Sequence, residues 1–210
     1  MKRIFIAGLQ RSGTNYAECL LNYNIYVDVF WNKFENKDTL LWKHKIIPLQ
    51  DDVMEKYNIS GILLVIKNPY SWVESICNRN SADLILSYDY LYQLTNTNFE
   101  LTTFNIKNLI QLYKDFYTTW LSKNVFLLRY EDLLISKECV INDFINKYNL
   151  KLRDVIQDYE NPIPESLQFD EKMFEKYKNV ELTFLKEDEI STINEVLGMS
   201  FFNKIGYKML

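Results

Sequence analysis

The stretch Arg3-Ile4-Phe5-Ile6-Ala7-Gly8-Leu9-Gln10-Arg11-Ser12-Gly13-Thr14-Asn15 decides how the rest of this chain is read. A short apolar run ends in glycine, a polar turn follows, and Tyr16-Ala17-Glu18-Cys19-Leu20-Leu21 resumes with helical spacing. This is a strand–loop–helix unit with a basic residue in its loop. Such a loop aims backbone N–H groups and the positive end of a helix at one point, which suits a phosphate or sulfate. A lone Gly-x-x-x-x-Gly reads equally as an ordinary strand-to-helix turn. The basic, hydroxyl-rich filling and the position directly after a first strand favour the anion site. A nucleoside-triphosphate loop would place Lys-Ser/Thr after its second glycine, for the terminal phosphates and magnesium. Here Thr14 and Asn15 follow Gly13, and the basic group is Arg11, inside the loop. The pattern points to a phosphorylated ligand handled without a metal.

A second, independent segment is Gly61-Ile62-Leu63-Leu64-Val65-Ile66-Lys67-Asn68-Pro69-Tyr70-Ser71-Trp72-Val73-Glu74-Ser75. The aliphatic run predicts a buried parallel strand. Asn68 is a suitable N-cap and Pro69 a suitable first helical residue, so a helix is expected over 69–79. Lys67 then sits at the C-terminal edge of the strand, and Ser75 and Arg79 lie one turn apart on one helix face. A surface lysine and an exposed helix serine are the plain alternative.

Together the Arg11-Ser12-Gly13-Thr14 loop and the Lys67-Asn68-Pro69…Ser75 spacing resemble the sulfotransferase family, which transfers a sulfuryl group from 3′-phosphoadenosine 5′-phosphosulfate (PAPS). The resemblance implies that Arg11, Ser12, Gly13, Thr14 and Asn15 bind the 5′-phosphosulfate, and that Lys67 and Ser75 bind the 3′-phosphate. The family usually has arginine at the place of Lys67 and commonly lysine at that of Arg11; charge is kept, but a fork and a point charge are exchanged. Its general base is often a histidine near a lysine and shortly before a proline. The one histidine here, His44, stands between Lys43 and Lys45, ahead of Pro48 and 23 residues before Lys67. The family's lysine lies two residues before the histidine, where this chain has Trp42, so Lys43 is the assisting candidate beside Lys45. Flanking positive charge disfavours the imidazolium and keeps a neutral base available. Other branches use glutamate, which makes Glu18 or Glu35 the substitute. Tyr130-Glu131-Asp132-Leu133 resembles the turn whose tyrosine lies near the adenine, with Glu131 and Asp132 read as helix-capping acids. The ending Gly206-Tyr207 resembles bacterial members. The basic Arg-Lys-Gly segment of animal enzymes is missing, which leaves Arg79 as the residue to complete the 3′-phosphate site.

At 210 residues the chain suits one domain, 1–210. Hydrophobic residues make up 48% and charged residues 25%, the balance of a globular protein rather than a disordered one. A net charge of −4 argues against general nucleic-acid binding. Cys19, Cys77 and Cys139 are odd in number and lack metal-ligand spacing, and no apolar run reaches membrane-spanning length; a reduced, cytoplasmic protein is expected. Strands are expected at 3–8, 25–30, 39–43, 61–66 and 125–129, and helices at 14–22, 51–57, 69–79, 105–121, 137–148 and 186–196. This alternation predicts an α/β, P-loop-like fold with a mainly parallel sheet and helices on both faces. Residues 80–104 read as a lid or a surface excursion, and 159–185 as a second irregular excursion. Phe30, Trp31, Phe34 and Trp42 are candidates for an acceptor pocket, although most aromatics of such a chain belong to its core. The expected acceptor is a hydroxyl or amine on a saccharide, lipid or small molecule. The rival readings are a P-loop kinase or nucleotide hydrolase and an inactive nucleotide-binding protein.

Overall fold

The computed structural model describes residues 1–31, 41–77, 106–158, 175–176, 179 and 181–210. Its strands are β1 (Lys2–Ala7), β2 (Val27–Phe30), β3 (Ile59–Ile66) and β4 (Val125–Arg129). Its helices are α1 (Thr14–Asn24), α2 (Asp51–Lys56), α3 (Pro69–Cys77), α4 (Ile106–Trp120), α5 (Tyr130–Ile135), α6 (Lys137–Tyr148) and α7 (Glu187–Ile205). The strands form an all-parallel sheet in the order β2-β1-β3-β4. Phe5 of β1 stands opposite Phe30 on one side and Ile62 on the other, and Ile66 of β3 stands opposite Arg129.

Period-two alternation sends side chains to two cores. Ile4, Ile6, Leu63 and Val65 pack with Ala17, Leu20, Leu133 and Phe144 of α1, α5 and α6. Phe5, Ala7, Ile62, Leu64 and Ile66 pack with Trp72, Tyr113, Phe116 and Phe202 of α3, α4 and α7. A parallel sheet covered on both faces explains why its central strands read as unbroken apolar runs. The molecule is α/β, as its sequence implies. Among the described residues no helix is long and apolar enough to cross a membrane.

Four expectations need correction. Residues 41–43 form turns instead of a strand; residues 39 and 40 lie outside the described set. Both edges of β1 are already taken by β2 and β3, so this segment crosses the end of β1, where Gly8 N donates to Lys43 O at 3.0 Å. The turn expected after β4 is helix α5, whose first-turn acids face the positive helix end, with Asp132 gripping Arg129 at 2.7 and 2.9 Å. The helix expected to stop at residue 196 runs to Ile205 through a kink at Gly198, because Phe201, Phe202 and Ile205 find buried places beyond it. The strand expected at 25–30 is confined to Val27–Phe30. The segment 80–104 lies outside the described residues, as does most of 159–185.

Candidate functional site

The chain leaves β1, builds β2 on one side of it, and returns to build β3 on the other. Such a reversal opens a crevice between the C-terminal ends of the two central strands, where open α/β sheets hold ligands. Gly8 follows β1 and Lys67 follows β3, so both sequence motifs border that crevice.

The loop after β1 is compact. Gly8 cannot carry a side chain, since a Cβ there would stand 2.6 Å from Val65 O. Ser12 turns inward: its hydroxyl and its N–H both donate to Leu9 O, at 2.6 and 3.2 Å. Arg11 and Gly13 have left-handed backbones, φ 67° and 89°. Gly13 is the N-cap of α1 and has no side chain, so the first turn of that helix carries no side-chain cap. Thr14 and Asn15 belong to that turn, whose N–H groups have no partner within the helix and form its positive end. Helix α3 differs: Asn68 Oδ1 accepts Tyr70 N and Ser71 N at 3.0 and 3.4 Å and so closes its N-terminus. The anion-ready helix end is therefore that of α1.

Helix α3 packs against the loop. Trp72 Nε1 donates to Gln10 O at 2.8 Å, and Arg11 Nε donates to Ser75 Oγ at 3.3 Å. The Arg11 and Ser75 motifs, 64 residues apart in sequence, thus meet in space. Lys67 is 2% exposed, and its carbonyl accepts the Tyr113 hydroxyl at 2.6 Å. Burial pushes the Lys67 ammonium down to about 7 against the pull of Glu131, helped by the positive fields of Arg11 and Lys176. Glu131, equally buried, accepts Asn68 N at 3.0 Å and the Tyr207 hydroxyl. Burial raises its carboxyl despite these two bonds. Tyr130 lies beneath the loop instead of in the open crevice. It is 1% exposed, its ring bars a Cβ at Gly13, and it stands 5.4 Å under the Lys67 ammonium.

His44 reaches the same place from the turn at 41–45. Its Nδ1 lies 2.5 Å from Gly8 O. A carbonyl only accepts, so Nδ1 carries the proton and the ring lone pair sits on Nε2. Burial, and then the Lys43 charge, push the imidazole down to about 3, outweighing the Gly8 bond. Lys43 is itself buried; its ammonium donates to Asn15 Oδ1 and stands 4.0 Å over the Trp31 ring. Trp42 meets both Trp31 and His44 edge-on, at 5.2 and 5.3 Å. Glu18, the substitute base, accepts Trp31 Nε1 at 2.8 Å.

Arg11, Ser12, Gly13, Thr14, Asn15, Lys43, His44, Lys67 and Ser75 thus stand together at the C-terminal ends of β1 and β3, with Tyr130 beneath the loop, whereas Arg79 and Glu35 lie outside the described residues. Sequence reasoning missed two groups. One is the buried place of Glu131 beside Lys67, since the sequence reads this residue only as a helix-capping acid. The other is Lys176, which pairs with Glu74 at 3.0 Å and whose field reaches Lys67. The spelling marks Glu131 only as a first-turn acid, because its partners Asn68 and Tyr207 are remote in sequence, and nothing around Lys176 signalled the second. In comparisons with known proteins the chain matches no family model, no curated protein and no solved structure.

Proposed function

We propose that this chain is a PAPS-dependent sulfotransferase with a P-loop-like donor site. The observation that carries the reading is the Arg11–Ser75 contact, which joins two independently spelled anion motifs at the reversal point of the sheet. The first turn of α1 and Arg11 take the 5′-phosphosulfate, where fixed N–H dipoles and a guanidinium suit an oxyanion. Lys67 and Ser75 take the 3′-phosphate. His44 Nε2 accepts the acceptor's hydroxyl proton as the acceptor oxygen bonds to sulfur and the sulfur–oxygen bond to the 5′-phosphate breaks. The desulfated nucleotide PAP leaves with its charge offset by Arg11 and Lys43.

A thermal-shift series with PAP, ATP plus magnesium, and GTP tests the donor class. PAP at 100 times its Kd adds roughly 2.7 kcal/mol to stability. Lys67→Ala is expected to weaken PAP far more than adenosine 5′-phosphosulfate, which lacks the 3′-phosphate. Turnover is expected to survive EDTA, because Arg11 replaces the lysine-and-magnesium pair. Stabilisation by ATP and magnesium alone would point to the kinase reading.

A further inference from the structure

Glu18 was the substitute base in the sequence, yet its carboxyl is occupied by the indole N–H of Trp31 at 2.8 Å. On the face of the same indole, 4.0 Å from the ring centre, stands the Lys43 ammonium. An acid at the edge of an indole raises the electron density that its face offers to a cation, so Glu18 and Lys43 attract each other through the ring. The same helix completes the hold. Asn15, Glu18 and Asn22 lie on one face of α1. Asn15 accepts the ammonium, and Asn22 exchanges two hydrogen bonds of 2.8 Å with Val29, fixing the end of β2 just before Trp31. Lys43 is 3% exposed, and a buried ammonium demands such compensation.

We propose that Glu18 and Trp31 are positioning residues, which act together to hold the Lys43 ammonium against the first turn of α1. There it faces the loop that takes the sulfuryl-bearing anion and stands beside His44. This assignment deepens the sulfotransferase reading and rests on it for the meaning of Lys43, while the arrangement itself is testable without any donor. It also gives Glu18 a role other than that of a base, with one carboxylate oxygen taken by the indole N–H.

The test is residue-resolved lysine acetylation of the full chain with N-hydroxysuccinimidyl acetate, read by peptide mass spectrometry. Lys67, also buried, reports any general loosening of the site. Trp31→Leu and Glu18→Ala are each expected to raise the Lys43 acetylation rate by roughly tenfold, with Lys67 unchanged. Glu18→Gln keeps an oxygen for the indole N–H but loses the charge, and is expected to fall between wild type and Glu18→Ala. Alanine suits a helix position, so Glu18→Ala serves even where Trp31→Leu does not fold. Lys43 remaining as protected as in wild type in Glu18→Ala overturns the assignment. So does Glu18→Gln as reactive as Glu18→Ala, or a joint rise of Lys43 and Lys67. Failure of the wild-type chain to bind PAP would remove the sulfotransferase reading and leave the acetylation result standing.

Discussion

At the scale of single residues, His44 is the group whose chemistry the structure changes most. From the sequence, the imidazolium is disfavoured only by the charge of the two flanking lysines. Burial instead holds its imidazole at about 3, neutral throughout the ordinary pH range. Its rate limb therefore belongs in strong acid, and activity between pH 6 and 8 should show no histidine step. The unfolded imidazole takes its proton near 6.5 and the folded one only near 3, so the unfolded state is favoured progressively as pH falls through that window. Because the chain has one histidine, one imidazole Cε1–H resonance reports it without assignment. That resonance is expected to stay fixed from pH 9 to about 5; a midpoint near 6.5 would show an exposed ring. On a verified acceptor, His44→Ala is expected to lower kcat by about 10²–10⁴-fold and leave PAP affinity nearly intact. Wild-type kcat in that variant would sink the assignment, and Glu18, committed to Trp31, is not the natural successor.

Among elements, the joint between β1 and α1 is where spelling and shape agree best. Gly13 is needed twice, once for its φ of 89° and once because a Cβ would stand 2.2 Å from Tyr130. Gly13→Ala is expected to cost about 1–3 kcal/mol, read as a loss in denaturant midpoint, and to lower PAP affinity by misplacing the first turn of α1. A fully stable variant with native affinity would show that the loop tolerates another path. The β1, β3 and β4 strands and helices α1, α3 and α6 were legible because apolar period, cap and proline signals coincide there, as at Asn68-Pro69. The 41–43 turns were not, since Leu41 and Trp42 look like strand residues, and only the bond of Gly8 N to Lys43 O across the end of β1 shows their path. The far half of α7 was hidden by Gly198, which breaks the helix without ending it. In the site, Arg11, Lys67 and Ser75 could be read from local motifs. The inward turn of Ser12, the Glu18–Trp31 bond and the place of Glu131 depend on which side chains meet across elements, and no local pattern records that.

For the molecule as a whole, the crevice at the sheet's reversal point gathers charges that the fold alone does not favour. Lys67 is the clearest case, because its ammonium, lowered to about 7, is less stable folded than in water. The unfolded lysine keeps its proton up to about 10.4. Between those values the unfolded state binds the extra proton, so this group makes the unliganded protein more stable as pH rises, and costs most below pH 7. Removing one member of a buried pair usually destabilises. Here the desolvation of Lys67 outweighs its attraction to Glu131, and Glu131 is already biased towards its neutral form. Lys67→Met is therefore expected to stabilise the unliganded protein at pH 6.5 by about 1 kcal/mol or more, read as a higher melting temperature. If the proposed reading holds, the same substitution should abolish most of the stabilisation by PAP, whose 3′-phosphate would supply the counter-charge. In the wild type, PAP binding should take up protons near pH 7.5, because the phosphate restores the ordinary basicity of Lys67. Calorimetry in two buffers of different ionisation enthalpy measures that uptake. A Lys67→Met protein less stable than wild type at pH 6.5, still melting higher with PAP, would show that Lys67 serves the fold and does not bind the ligand.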